Sequence, residues 1–512
     1  MKPPPQPPRP RRLGAAGTGP QAGEPNRRPG RAKTRNVARR EVDPARVVAW
    51  QTLRAVDERD AYANLELPRL LLLTRLGGRD AAFATELAYG TLRGRGLYDV
   101  VLAACVDRPL EQVDPAVLDA LRLGAHQLLA TRVPPHAAVA ATVDLVRAEI
   151  GQGAAGFANA VLRAVGAHDL AGWQREVAPD PAAEPDAHLA VTLSHPVWVV
   201  RALRDALLAA GRPAGELPAL LAADNERPPV TLVALPGLAD VAELVRAGGQ
   251  PGRLSPLAGV VTGAPDELPA VHAARARAQD EGSQLVALAL AAAPPVGPDS
   301  GRWLDLCAGP GGKAALLGAV LAGRRAAGAL PADAALVANE VTAHRVELVR
   351  ASVRGVLAAG RPAVVVRQGD GTAAGADDPS TYDRVLVDAP CTGLGALRRR
   401  PEARWRRRPA DLAGLGPLQR ALLASAVDAV RPGGLVAYVT CSPHRAETRA
   451  VVGDVLRRRD DVERLDVRDL LAEVARPGAL DPATLGPGPD AQLWPHLHGC
   501  DAMYLALLRR RP

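Results

Sequence analysis

Along residues 42–177 apolar side chains return every three to four positions. Val47, Val48, Leu53 and Val56 share one helical face. Val117, Leu118, Leu121, Leu128 and Leu129 share another, behind the helix-start signal Asp114-Pro115. A third helix is predicted after Pro134-Pro135, with Val139, Val143 and Val146 aligned. This is the pattern of an all-α bundle, closed by a Pro/Asp/Glu-rich link at 178–187. Over 188–295 the pattern is mixed. It predicts a helix from Pro196 to Ala210, a strand from Pro229 to Leu235, a second apolar segment at 257–262 that can pair with it, and a helix from Ser283 to Ala293. We read this stretch as a small α+β linking domain. From 296 to 512 strands and helices alternate. Strands are predicted at 302–307, 335–339, 363–367, 384–388 and 434–440, with helices at 312–322, 342–358 and 411–430. Such alternation builds an α/β doubly wound parallel sheet. Ala502 to Leu508 reads as a further strand, at the sheet edge.

Residues 1–41 fall outside this pattern. They are rich in Pro, Gly and Arg, have little to bury, and predict a disordered tail. Residues 1–40 carry 11 Lys/Arg against the single acid Glu24, so the chain's net +8 resides there and the remainder is slightly acidic. A cationic arm suits the phosphates of nucleic acid, and a solvated tail is the alternative. Apolar runs stop well short of the roughly 20 residues a membrane span needs, and the N-terminus lacks the apolar core of a secretory signal. A soluble cytoplasmic protein without a membrane partner is expected. The five cysteines (Cys105, Cys307, Cys391, Cys441 and Cys500) are scattered without a C-x-x-C pair. That argues against a disulfide framework and against a metal site, and it suits a reducing compartment.

The segment Leu304-Asp305-Leu306-Cys307-Ala308-Gly309-Pro310-Gly311-Gly312-Lys313 reads as strand, tight turn and helix start. Gly309 and Gly311 allow a ligand to approach the backbone, and the helix N-terminus offers unpaired N–H groups. By itself the turn is ambiguous, because Gly309, Gly311 and Ala314 also satisfy a dinucleotide pattern. It is not a P-loop. Glu340, at the end of the next strand, can meet the ribose hydroxyls of NAD or of S-adenosylmethionine. Asp370, after the third, suits an adenine or ribose contact. A dehydrogenase therefore stays open at this point.

Two later strand ends change the chemistry. Val385-Leu386-Val387-Asp388-Ala389-Pro390-Cys391 and Tyr438-Val439-Thr440-Cys441 each place a thiol where a parallel sheet opens its ligand crevice. A hydride-transfer enzyme has no evident need for two thiols there. Pyrimidine methylation does need one: a thiolate adding to carbon 6 makes carbon 5 nucleophilic enough to take a methyl group. Asp388 is placed to hold the N3/N4 edge of the base, and Lys313 or nearby Arg to stabilise the thiolate. Lys313 is the only lysine after residue 33. Cys307 reads as a packed lining residue, and Cys105 and Cys500 as structural. His444 follows Cys441 by three residues, but nothing else speaks for a Cys–His hydrolase. The residues alone leave open which of Cys391 and Cys441 is the nucleophile. Between them, Arg398, Arg399, Arg400, Arg404, Trp405, Arg406, Arg407 and Arg408 combine phosphate-binding forks with a stacking ring, as an RNA track would; a solvated loop is the alternative.

These motifs resemble the RsmB/Sun family of RNA cytosine-C5 methyltransferases. The likeness is carried by LDLCAGPGGK, Glu340, Asp370, DAPCTGLG followed by RRRPE, TCSPHRAE and the upstream QDEGSQ. The helical region, with GFANAVLR and SHPVWVV, resembles the NusB-like RNA-binding domain of the RsmB subgroup. The resemblance implies a NusB-like domain at 42–177, a linking or RNA-binding subdomain at 188–295 and a class I, Rossmann-like methyltransferase domain at 296–512. It implies Cys441 as nucleophile and Cys391 as an aid to product release. S-adenosylmethionine would be bound by Cys307, Ala308, Gly309, Pro310, Gly311, Gly312, Lys313, Glu340, Asp370 and Asp388. The substrate would be a cytosine of 16S rRNA, unpaired or flipped out to reach the thiol. A monomer without a DNA partner is expected. The rivals are the same reaction on tRNA and a non-catalytic NusB-like RNA-binding factor. Gly309 stands where the family usually has Ala, a change expected to add freedom to the turn without removing a contact.

Overall fold

Two aspartates start helices of the N-terminal bundle. Asp43 caps Pro44–Arg59 by accepting from the Ala45 N–H, and Asp114 caps Pro115–Ala130 by accepting from Ala116 and Val117. Proline follows each cap, where a missing N–H costs nothing. The computed structural model describes residues 42–263, 265–359 and 363–512; the arm expected over 1–41 lies outside them. Helices Ala63–Thr74, Gly78–Cys105, Pro135–Glu149 and Gln152–Val165 complete the bundle around buried Leu87, Leu121, Leu145 and Leu162. Arg122 is buried against acids from three helices, its Nε donating to Asp99 (2.6 Å) and Nη1 to Asp119 (2.9 Å) and Asp57 (3.2 Å).

Helices Leu170–Val177, Pro185–Thr192, Val197–Ala209 and Leu217–Asn225 lead out of the bundle. The expected link at 178–187 is shorter than predicted, because Pro185 opens a helix inside it. A small antiparallel sheet follows, from β1 (Val230–Ala234), β2 (Gln250–Pro251), β3 (Ala258–Val261) and β4 (Ala276–Ala278), in the order β2-β3-β1-β4. The predicted pairing of the 229–235 and 257–262 segments is the β1–β3 ladder.

The large sheet contains β5 (Arg302–Asp305), β6 (Ala335–Glu340), β7 (Val364–Gln368), β8 (Tyr382–Asp388), β9 (Val430–Thr440), β10 (Val462–Leu465), β11 (Ala491–Gln492) and β12 (Tyr504–Arg510). Its order is β10-β12-β9-β8-β5-β6-β7, with β11 against β12. Strands β9, β8, β5, β6 and β7 run parallel, but β12 is antiparallel to β9, and β10 and β11 are antiparallel to β12. The sheet is therefore mixed rather than wholly parallel, and the C-terminal strand is interior rather than at the edge. The reason is legible in β12 itself: residues 504–508 are apolar and buried on both faces, as a flanked strand requires. The order of connection reverses between β5 and β8, which opens a crevice at their carboxyl ends. Among the described residues no helix is long and apolar enough to cross a membrane.

Candidate active site

Beyond β5 the chain turns through Leu306–Gly311 and enters helix Gly312–Ala326 from Gly311, which adopts φ +102°. Glu340, the last residue of β6, is buried against this turn. Its Oε2 accepts the Gly309 N–H (3.1 Å) and its Oε1 the Thr342 N–H (3.0 Å), while Arg345 Nη2 donates to the Gly309 carbonyl (2.6 Å). A Cβ on Gly309 would stand 2.2 Å from Glu340 Oε2. Glycine at 309 lets this carboxylate approach the turn closely. Asp370 follows β7 and caps the short turn Gly371–Ala373 by accepting from Thr372 N–H (2.9 Å) and Oγ1 (2.8 Å).

Behind the turn lie a buried acid, Asp305, a half-buried one, Asp388, and one lysine. Lys313 Nζ donates to Asp388 Oδ2 at 2.8 Å. Cys307 is held neutral, its pKa pushed well above the thiol range by burial and by Asp305, Asp388 and Glu340. Asp305 was not singled out by the motifs, although an acid between Leu304 and Leu306 was the available signal. It is buried, and neither carboxyl oxygen has a hydrogen-bond partner among the described residues. Burial and the neighbouring Asp388 raise its pKa to about 8, against the lowering by the Lys313 charge. An orphaned buried carboxyl beneath a glycine turn fits the ammonium end of an amino-acid-bearing cofactor.

Cys391 follows β8 and Cys441 follows β9, and their sulfurs are 3.5 Å apart. The two thiols differ in acidity. Cys441 is held below the ordinary thiol range by its hydrogen bond with Cys391, in which either sulfur can donate, with Lys313 and Arg400 opposing the effects of burial and Asp388. Cys391 is driven well above that range by the same bond, by burial and by Glu447. Loss of a proton from the pair is therefore favoured at Cys441 over Cys391.

Residues 295–509 match the family described as 16S rRNA methyltransferase RsmB/F, and residues 43–167 match the NusB family. A Mycobacterium tuberculosis protein named as a methyltransferase (Rv1407) is 52% identical over 480 residues, covering 93% of this chain and 99% of its own. The chain belongs to the RsmB/F methyltransferase family. A ribosomal RNA small subunit methyltransferase B of Erwinia tasmaniensis is 29% identical over 474 residues, 90% of this chain and 98% of its own. The crystal structure of PH0851 shares the fold, with a TM-score of 0.72 at 20% identity over 92% of this chain and 99% of its own. This chain is accordingly an RNA methyltransferase with a NusB-type helical domain.

One expectation does not survive in this RsmB/F member. Most of the Arg-rich segment is not an open RNA track. Arg398 and Arg399 both pair with Asp280 and Asp501 at 2.7–3.1 Å. Arg404 is fully buried and donates to the carbonyls of Ser194 and Asp224 (3.0 Å each) and to Asn225 Oδ1 (2.7 Å). Trp405 donates its indole N–H to Leu92 O (2.9 Å), and Arg406 donates to the carbonyls of Val56 and Ala61. These side chains join the catalytic domain to the bundle and the linking region, because guanidinium forks can satisfy several buried oxygens at once. Arg400 remains exposed, its guanidinium 5.5 Å from the centre of the Tyr62 ring, and Arg408 is exposed too.

Proposed function

We propose that this chain methylates carbon 5 of a cytosine in 16S rRNA, with S-adenosylmethionine as the donor. The observation that carries the reading is the 3.5 Å approach of Cys441 to Cys391, with Lys313 and Asp388 beside them. S-adenosylmethionine, when bound, supplies a methyl group on a sulfonium, which accepts an electron pair. The backbone of Cys307–Lys313 would hold it, with Glu340 toward the ribose hydroxyls, Asp370 toward the nucleoside, and Asp305 and Asp388 toward the amino-acid end.

Cys441, as thiolate, forms a bond to carbon 6 of the cytosine. The displaced ring electrons make carbon 5 nucleophilic, while Asp388 holds the N3/N4 edge. Carbon 5 takes the methyl group and loses its proton to solvent. The C5–C6 double bond re-forms and the C6–S bond breaks. Cys441 leaves as a thiolate, and the Cys391 S–H donates a hydrogen bond to it, which stabilises the leaving group. Exposed Arg400, beside this pair, suits a phosphate of the incoming strand.

The test is incubation of the full chain and donor with 16S rRNA fragments and with tRNA, followed by mapping of the modified base. The expected product is 5-methylcytosine in the 16S fragments. Modification of tRNA alone, or of another atom, would overturn the proposal. A second expectation concerns Asp305. With a pKa near 8 it carries a proton at pH 7, and a cation bound against it would drive that proton off. Titration calorimetry at pH 7 in buffers of different ionisation enthalpy should show net proton release on donor binding, and Asp305→Asn should abolish the release. Equal heats in all buffers for the unsubstituted chain would exclude this role.

A further inference from the structure

Glu447 lies outside the chemistry assigned to the cysteine motifs, yet it organises both thiol loops. It is fully buried. Its Oε1 accepts from the Thr392 N–H (2.7 Å) and from Gln419 Nε2 (3.2 Å). Its Oε2 accepts from Thr392 Oγ1 (2.5 Å) and Ser442 Oγ (2.6 Å). Thr392 directly follows Cys391, and Ser442 directly follows Cys441. Gln419, on helix Asp411–Ala429, also donates to Pro390 O (2.8 Å), and Tyr438 of β9 donates its hydroxyl to the Glu447 carbonyl (2.8 Å).

We propose that Glu447 is the positioning residue that gives the two thiols different jobs. One carboxylate grips the residue after each cysteine, with two bonds from Thr392 and one from Ser442, and the sulfurs meet at 3.5 Å. This rests on the reading of Cys441 as nucleophile. The surrounding charges are arranged to suit it. Cys391 is faced by Glu447 and by Cys441, which favour its protonated form. Cys441 is faced by Lys313 and Arg400, with Asp388 opposing them. Burial makes the charges of Glu447 and Lys313 count for more than they would in water.

The test compares how fast iodoacetamide labels each cysteine across pH in the full-length protein, read by peptide mass spectrometry at low extents of labelling. In the unsubstituted chain Cys441 should be labelled first and Cys391 should lag. Glu447→Gln keeps the size, and the Thr392 and Ser442 hydroxyls can reverse to accept from the new amide, so the principal loss is the charge. The ratio of Cys391 to Cys441 labelling should then rise about tenfold, the equivalent of one pKa unit, with kcat falling more than KM changes. Glu447→Asp retains the charge and should restore part of the original pH profile. A folded Glu447→Gln with an unchanged ratio would overturn the proposal. Should that variant fail to fold, Thr392→Val, which removes one arm of the clamp, must raise the ratio in the same direction, and an unchanged ratio there would overturn it equally. Failure of the nucleophile reading looks different: Cys441→Ala would still form an RNA adduct.

Discussion

Cys441→Ala should form no covalent adduct with RNA carrying 5-fluorocytosine, whereas Cys391→Ala should retain the adduct and accumulate it on unmodified RNA. Fluorine at carbon 5 blocks the proton loss that releases the enzyme, so the complex persists only if a sulfur has already bonded to carbon 6. Loss of Cys441 removes that route, and turnover should fall on the order of 10⁴-fold or more, as when other covalent nucleophiles are deleted. Loss of Cys391 removes the hydrogen bond that lowers the pKa of Cys441 and supports its departure. Bond formation should persist and release should slow. The active form is the thiolate, so kcat/KM should climb with pH and level off above the pKa of Cys441, below the range of a free thiol. In Cys391→Ala that limb should move to higher pH. An adduct that vanished only with Cys391→Ala would reverse the two assignments.

The largest expected loss of stability is at Arg404→Met. The substitution keeps an apolar stem of similar length but strips donors from the Ser194 and Asp224 carbonyls and from Asn225 Oδ1, in a region without solvent access. Asp224, already raised to about 7 by burial, would lose the positive charge that opposes that rise. Leaving one side of a buried polar cluster uncompensated costs about 3–5 kcal/mol. Urea denaturation should show that loss as a shift in midpoint. A change below about 1 kcal/mol would mean the buried contacts are not formed in solution.

The contrast between Arg404 and Cys441 shows how far the sequence could be read. Cys391, Cys441, Asp388 and the glycine turn were legible because each chemical group sits at a strand end, and strand ends follow from short-range patterning. The Arg-rich segment was misread because its partners are remote in the chain: Asp280 lies 118 residues from Arg398, and Asp501 lies 103. Local clustering of charge cannot distinguish a surface track from an internal joint. Helix Gly78–Cys105 went unseen for a related reason. Its glycines look like breakers, but Gly96 makes room for the Trp405 ring, which a Cβ would meet at 2.4 Å. Glu447 was hidden for the same reason, since two of its partners, Gln419 and Thr392, lie 28 and 55 residues away. The mixed sheet was missed because β12 pairs across the fold with β9.

Trp405 and Arg406 reach from the catalytic domain into the bundle and bond to backbone carbonyls there. A joint of that kind sets the span between the helical domain and Cys441. On the function proposed above, a folded RNA seated on the helices would present to Cys441 the base lying at that distance, so its address would be a length in the RNA's tertiary shape as much as a run of letters.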